Sequence, residues 1–154
     1  MGSVLVIGGG AAGLAAAIAA AECGDTVTVA EKMDRVGKKI LATGNGRCNL
    51  MNTGAPRYPG NAAFAAAVLS HCGAEEQKTF WEHLGLRLRQ EEAGRVYPVS
   101  SQASSVLDAL RLQLTVLHVR VVTGVSITAL HRENDGWTAL SADGQQFRAN
   151  RVII

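Results

Sequence analysis

The hydrophobic pattern at the start of the chain consists of short apolar runs separated by glycines. Residues 4–7 form an apolar run that is too short for a helix and typical of a strand buried in a parallel sheet. Residues 11–23 are mainly alanine, which favours a helix, and Gly24 suits its C-terminal end. Residues 26–30 are rich in β-branched residues and predict a second strand. This order predicts a right-handed βαβ unit with parallel strands.

The middle of the chain changes from a polar loop to helical patterns. Residues 32–60 are polar, basic and rich in glycine and asparagine, which predicts a long functional loop. We expect helices over residues 61–70 and 75–84, and extended chain over residues 87–99. Ser100 is expected to cap a third helix. One face of that helix would carry Leu107, Leu110, Leu114 and Leu117.

The last third of the chain has the pattern of short strands joined by tight turns. The expected strands are residues 119–123, 125–130, 137–141, 147–149 and 152–154. Asp135 with Gly136, and Asp143 with Gly144, are typical hairpin turns. Because the sequence stops inside an apolar strand, we expect the chain to be a truncated part of a longer protein.

Composition narrows the possible partners and compartment. The chain has 154 residues, 47% of them hydrophobic, and a formal charge of +2, so it lacks the basic excess of a nucleic-acid-binding domain. The expected partner is a small molecule. The three cysteines form no C-x-x-C pair, which disfavours a zinc site or a disulfide framework and indicates the cytoplasm. Residues 4–21 carry no charge, but glycines interrupt them and no basic flank precedes them, so we expect no membrane span.

Three glycines supply the main chemical signal. Gly8, Gly10 and Gly13 form a G-x-G-x-x-G pattern that follows the first strand, opens the helix and is followed by Glu31 at the end of the second strand. In dinucleotide-binding domains such glycines make a tight turn, admit the pyrophosphate and let the helix pack closely on the sheet. We expect the Glu31 carboxylate to lie at the periphery of the core and to accept hydrogen bonds from the ribose hydroxyls. The alternative is a glycine-rich turn that binds nothing.

The motif alone does not distinguish FAD from NAD, because both contain the same ADP half. The following loop carries three positive charges, at Arg35, Lys38 and Lys39, which favour a diphosphate. Residues 44–46, Gly-Asn-Gly, supply backbone donors with little side-chain bulk. Judged by charge alone, the same stretch is also consistent with a solvated basic loop.

Two further segments resemble a known family. Residues 35–49, RVGKKILATGNGRCN, and residues 94–100, GRVYPVS, are similar to segments of the BaiN-like, or aminoacetone-oxidase-like, family of FAD-dependent oxidoreductases. The resemblance implies a two-dinucleotide-binding-domain flavoprotein fold. Together with the pattern of strands and helices, it predicts an α/β fold with an FAD/NAD(P)-binding Rossmann-like parallel sheet, a helical insertion and a C-terminal antiparallel β-meander. The chain would be the N-terminal part of that FAD-binding domain, with residues 1–60 and 116–154 as the dinucleotide-binding core and residues 61–115 as the mainly helical insertion.

The resemblance and the glycine motif together imply a set of FAD-binding residues. The spacing of the cysteines and histidines, with no C-x-x-C or H-E-x-x-H pattern, indicates no metal site. Val125 would contact the adenine through its backbone. The expected cofactor-binding residues are Gly8, Gly10, Ala11, Ala12, Gly13, Glu31, Lys32, Lys38, Lys39, Thr43, Gly44, Asn45, Gly46, Arg47 and Val125.

The expected function is that of a flavoprotein enzyme in which NAD(P)H reduces FAD and FAD reduces an organic acceptor. The resemblance implies that the acceptor is an activated alkene in a steroid-like ring, and an amine oxidase that uses dioxygen is the rival within the same class. A non-catalytic nucleotide-binding module and a flavoprotein that modifies RNA are further alternatives. We expect the fragment alone to be inactive and to bind FAD weakly.

Three other residues allow two interpretations each. Arg47 either faces the flavin or a substrate anion, or holds its own loop to a carboxylate. Cys48 has no second thiol nearby in sequence, so a packing role is favoured over redox exchange. Tyr97 is expected to be a packed aromatic residue rather than a proton donor.

Overall fold

The structure is a computed structural model that describes residues 1–54 and 58–154. The strands in chain order are β1 Ser3–Ile7, β2 Thr26–Glu31, β3 Met51–Asn52, β4 Leu88–Gln90, β5 Arg95–Pro98, β6 Arg120–Thr123, β7 Ile127–Glu133, β8 Gly136–Ser141, β9 Gln146–Ala149 and β10 Arg151–Ile153. The helices are α1 Ala11–Glu22, α2 Ala62–Leu69, α3 Ala74–His83 and α4 Ala103–Val116.

The described residues form two compact units, Met1–Ile40 with Leu110–Ile154, and Leu41–Ala109. The first unit contains a parallel sheet in the order β10-β1-β2-β6. Val4 lies opposite Val27 on one side and Arg151 on the other. Strand β1, helix α1 and strand β2 therefore form the predicted βαβ unit, and the α/β fold class is confirmed.

Two layers cover the parallel sheet of the first unit. Helix α1 packs on β1 and β2 and buries Leu14, Ala17 and Ile18. Strands β7, β8 and β9 form the antiparallel meander that the sequence predicts. A core cluster joins residues of the meander to residues of the parallel sheet: Leu5, Ala30, Val125, Ala139, Phe147 and Ala149. Burial of this cluster fixes the strand ends on which the glycine motif and Glu31 lie.

The second unit contains the antiparallel sheet β3-β5-β4 and helices α2 and α3. The prediction of a long loop over residues 32–60 is wrong in part. An irregular turn occupies Ile40–Gly46, and β3 pairs with β5. A two-residue strand has no period that a sequence pattern can reveal. The part of this prediction that falls on residues 55–57 lies outside the described residues.

Helix α4 begins later than the sequence suggests. Ser100 does not cap it; its Oγ accepts a hydrogen bond from the backbone N–H of Gln102 at 3.3 Å, in the turn before the helix starts at Ala103. Three of the predicted face residues are buried: Leu107, Leu110 and Leu114. Leu117 follows the end of the helix and is half-buried.

Within residues 1–54 and 58–154, no helix has the length and apolar character needed to cross a membrane.

Candidate functional site

The turn between β1 and α1 needs glycine at residue 8 for its backbone conformation and at residue 13 for close packing. Gly8 has a φ of +105°, a left-handed value that side chains disfavour, and its N–H donates to the Ala30 carbonyl at 2.8 Å. A Cβ on Gly13 would overlap the carbonyl oxygen of Gly8. The helix can therefore approach the turn only because residue 13 has no side chain.

Gly10 faces open space at the N-terminus of α1. A Cβ built on Gly10 would meet no atom within 4 Å. Gly10 is the N-cap residue, and no side chain caps the helix or places an acid in its first turn. The first hydrogen bond of the helix runs from Leu14 N–H to Gly10 O, at 2.9 Å, so the N–H groups of Ala11, Ala12 and Gly13 have no partner within the helix. These donors and the helix dipole favour an anion at this end of α1.

Glu31 is buried, with 9% of its surface exposed, so the prediction of a carboxylate peripheral to the core is wrong. Oε2 accepts a hydrogen bond from the Gly9 N–H at 2.6 Å, and Oε1 accepts one from the Met33 N–H at 2.7 Å. The backbone of Gly9 turns toward the end of β2, and this brings its N–H within hydrogen-bond distance of the Glu31 carboxylate. Glu31 therefore holds the glycine turn to β2.

Val125 is also buried beside the end of β2. Its N–H donates to the Glu31 carbonyl at 2.9 Å, so this N–H already has a protein partner. The N–H of Gly124 donates to the Met33 carbonyl at 2.9 Å. These two bonds tie the segment after β6 to the segment after β2, where Lys32 is exposed.

Two residues that the sequence analysis missed support the glycine turn. Gly37 N–H donates to the Gly9 carbonyl at 2.7 Å, and Val36, buried, packs on Gly9. A Cβ on Gly9 would lie 2.5 Å from Val36 Cγ1 and 3.2 Å from Glu31 Cβ. The glycine at residue 9 was the available signal in the sequence. The dinucleotide motif requires Gly8 and Gly10 but not a glycine between them, so Gly9 indicates a further close contact.

The basic side chains after β2 are exposed. Lys38 and Lys39 are both on the surface, and Lys38 Nζ lies 3.5 Å from Asp34 Oδ1. An exposed pair of this kind is weak. The Lys38 charge is therefore partly balanced within its own segment.

In the second unit, the loop of residues 43–48 has unusual backbone geometry. Gly44 and Gly46 have φ values of +54° and +80°, and the non-glycine residues Asn45 and Cys48 have values of +55° and +58°. Thr43, Gly44, Asn45 and Gly46 are exposed, and Cys48 is buried. The Cys48 N–H donates to the Thr43 carbonyl at 3.0 Å.

Arg47 is engaged by two side chains of the second unit. Its Nη2 donates to Glu91 Oε1, and its guanidinium lies 4.0 Å from the centroid of the Tyr97 ring. The hydrogen bond raises the pKa of Arg47 and lowers the pKa of Glu91. Tyr97 is buried beneath the guanidinium, as expected for a packed aromatic residue. Arg47 thus holds its loop to a carboxylate, which was one of its two interpretations.

The expected site residues divide between the two units. Thr43, Gly44, Asn45, Gly46 and Arg47 lie in the second unit, and the other members of the set lie in the first. The three cysteines, Cys23, Cys48 and Cys72, are free.

A family model, that of the HI0933-like protein Rossmann domain, matches residues 2–154. The chain belongs to the HI0933-like family. Membership confirms the resemblance to BaiN-like FAD-binding oxidoreductases that residues 35–49 and 94–100 carry, and it confirms the Rossmann-like fold.

Two curated relatives match nearly the whole chain. A 3-dehydro-bile acid delta(4,6)-reductase of Clostridium scindens is 45% identical over 159 residues, which cover 100% of this chain and 38% of the relative. A ribosomal RNA dihydrouridine synthase of Haemophilus influenzae is 24% identical, with 97% of this chain and 39% of the relative covered. The chain therefore spans about two-fifths of the length of these two relatives.

Solved structures show the same fold at low sequence identity. The 3-ketosteroid-delta4-(5alpha)-dehydrogenase of Rhodococcus jostii RHA1 superimposes with a TM-score of 0.69 at 18% identity. The match covers 98% of this chain and 44% of the dehydrogenase.

Proposed function

We propose that this chain is the N-terminal, FAD-binding part of an oxidoreductase that uses NADH or NADPH to reduce an organic acceptor. The observation that carries the proposal is the open space over Gly10, at the uncapped N-terminus of α1, in a chain of the HI0933-like family. Bound FAD supplies hydride transfer, and the protein supplies binding and orientation.

In this proposal the first unit holds the ADP half of FAD. The N–H groups at the start of α1 bind the pyrophosphate, and Lys32, Lys38 and Lys39 add positive charge. A carboxylate has about four acceptor sites, and two backbone N–H groups already bond to Glu31, so its carboxylate retains acceptor capacity for the ribose hydroxyls. Val125 has its N–H occupied, so we assign its adenine contact to its carbonyl oxygen.

The second unit contributes the backbone of residues 43–46. Gly44, Asn45 and Gly46 have left-handed conformations, the two glycines keep side-chain bulk low, and all four residues are exposed. We assign them to the flavin end of the cofactor.

We further propose that the acceptor is an activated carbon–carbon double bond in a steroid-like ring. The 45% identity to a 3-dehydro-bile acid delta(4,6)-reductase supports this substrate class. RNA is disfavoured as a substrate because the formal charge is only +2, although one relative of 24% identity is named for RNA modification. A cytoplasmic location is consistent with the three free thiols.

Gly10→Ala tests the cofactor site. The added methyl group meets no protein atom within 4 Å, and φ at Gly10 is −80°, so the free energy of unfolding should fall by no more than about 1 kcal/mol, the cost of alanine at an N-cap position. The methyl group fills the space assigned to the pyrophosphate, so FAD affinity should fall by about tenfold or more, equivalent to ~1.4 kcal/mol.

The matched control is Ala19→Ser, which adds one atom at an exposed position of the same helix. Titration of FAD into each variant, followed by flavin fluorescence, measures the effect. Equal affinity for Gly10→Ala and the unsubstituted chain, or no FAD binding by the unsubstituted chain, would contradict the proposal.

A second experiment identifies which compounds donate electrons to the flavin and which accept them from it. The FAD-loaded protein, extended to the length of its relatives, is mixed anaerobically with NADH or NADPH, and bleaching of the flavin absorbance is followed. Reoxidation by a 3-oxo-4-ene steroid supports the alkene reductase. Bleaching by an amine, with reoxidation by dioxygen alone, supports the amine oxidase, and a protein that NAD(P)H and amines both fail to reduce is consistent with the non-catalytic module.

A further inference from the structure

The loop of residues 43–48 adopts a conformation that its own residues do not favour. Asn45 and Cys48 both have positive φ values, at +55° and +58°. Asparagine tolerates this region better than most residues, but cysteine does not. Residues in such conformations persist when the surrounding structure holds them, and they cluster at functional sites. Contacts outside the loop must therefore stabilise it.

Arg47, which is part of the loop, contacts two residues outside it, Glu91 and Tyr97. Its guanidinium donates to the carboxylate of Glu91, which is 44 positions away in sequence, and it lies 4.0 Å from the centre of the Tyr97 ring. The same ring approaches the loop backbone, because a Cβ on Gly44 would lie 3.4 Å from Tyr97 Cε1. The aromatic ring thus contacts the loop at two places.

The Glu91 carboxylate is itself held in place. Arg89 Nη2 donates to the same oxygen, Oε1, at 3.0 Å, and Arg89 also donates to Ser101 Oγ at 2.9 Å. The hydrogen bonds from Arg47 and Arg89 lower the pKa of Glu91, so the carboxylate is ionised at neutral pH. A fixed anion with two cationic partners orients Arg47 better than a mobile surface acid.

We infer that Glu91 is a positioning residue for the loop of residues 43–48 and that it acts through Arg47. Glu91 itself follows β4, outside the loop and outside the glycine motif. The expected effect of Glu91 on FAD binding rests on the proposed function, whereas its effect on the loop does not.

The test compares Glu91→Gln, Arg47→Ala and the double variant in the absence of FAD. Glu92→Gln is the matched control, because it makes the same change at the neighbouring exposed position. Amide hydrogen exchange at residues 43–48 reports loop order. We expect exchange about tenfold faster in Glu91→Gln and in Arg47→Ala. Arg47→Lys, which keeps the charge but loses the planar stacking group, should give an intermediate rate.

The double variant distinguishes positioning from general stabilisation. If Glu91 acts through Arg47, Glu91→Gln should add no further acceleration once Arg47 is alanine. Additive effects, or unchanged exchange in Glu91→Gln, would overturn the inference. FAD titration of the same variants is a separate readout, in which we expect affinity to fall about tenfold. Faster exchange with unchanged FAD affinity would support the role of Glu91 and count against our assignment of the loop to the cofactor.

Discussion

Replacement of Glu31 by alanine tests the idea that one carboxylate holds the glycine turn to the sheet. The change removes two charge-assisted hydrogen bonds, from Gly9 N–H at 2.6 Å and Met33 N–H at 2.7 Å. Bonds to a charged group contribute about 1.5–3 kcal/mol each. The bond from Gly9 is buried, so its loss should count in full, whereas the bond from Met33 is only partly buried and water can replace much of it. We therefore expect the free energy of unfolding to fall by about 2–4 kcal/mol.

The assay needs a signal from the unit that contains Glu31. Trp137 lies in that unit and Trp81 in the other, so urea unfolding followed by fluorescence in a Trp81→Phe background reports the first unit. Glu31→Gln retains one acceptor oxygen and should lose about half as much stability. Lys32→Ala, at the next and exposed position, should stay within about 0.5 kcal/mol of the parent. A similarly small change in Glu31→Ala would refute the reasoning.

Two other predictions concern one contact within each unit. Gly9→Ala places a methyl group 2.5 Å from Val36 Cγ1 and should lower the free energy of unfolding by about 1–3 kcal/mol; combined with Val36→Ala, the loss should be smaller than the sum of the two single losses, and additivity would exclude the clash. The hydrogen bonds from Arg47 and Arg89 lower the pKa of Glu91, so the ionised carboxylate stabilises the fold above its ordinary pKa and this contribution is lost as the pH falls through the lowered pKa. At neutral pH the unsubstituted chain should have a higher midpoint of urea unfolding than Glu91→Gln, and this difference should shrink as the pH falls to about 3. A difference that stays constant over this pH range would contradict the ion pair.

Elements with a strong local pattern could be predicted from the sequence. Strands β1 and β2, helix α1 and the β7-β8-β9 meander all follow from apolar runs, alanine-rich sequence and hairpin turns. The short strand β3 and the late start of α4 could not be predicted. The partner of β3 is more than forty positions away, at Val96 and Arg95, and the residue pattern near Ser100 does not show where the helical hydrogen bonds begin.

The site shows the same division between local and distant determinants. The roles of Gly8 and Gly13 in the turn follow from the local requirement for positive φ or close packing, and the structure has these features. The burial of Glu31 was missed because it depends on which backbone N–H group the turn directs toward β2. The pairing of Arg47 with Glu91 joins residues 44 positions apart, so the sequence left its two interpretations open.

The position of β1 between β2 and β10 has a consequence for synthesis in the cell. Ser3 and Asn150, which hydrogen-bond beside the β1–β10 pair, are 147 positions apart, so at a typical translation rate β10 follows β1 by roughly 7–30 s. During that interval one edge of the apolar strand β1 lacks its partner, and an unpaired edge can pair with other chains. Residues 41–109, by contrast, form their unit from one continuous stretch. The nascent chain therefore leaves one edge of β1 unpaired for longer than the strands of residues 41–109 wait for their partners.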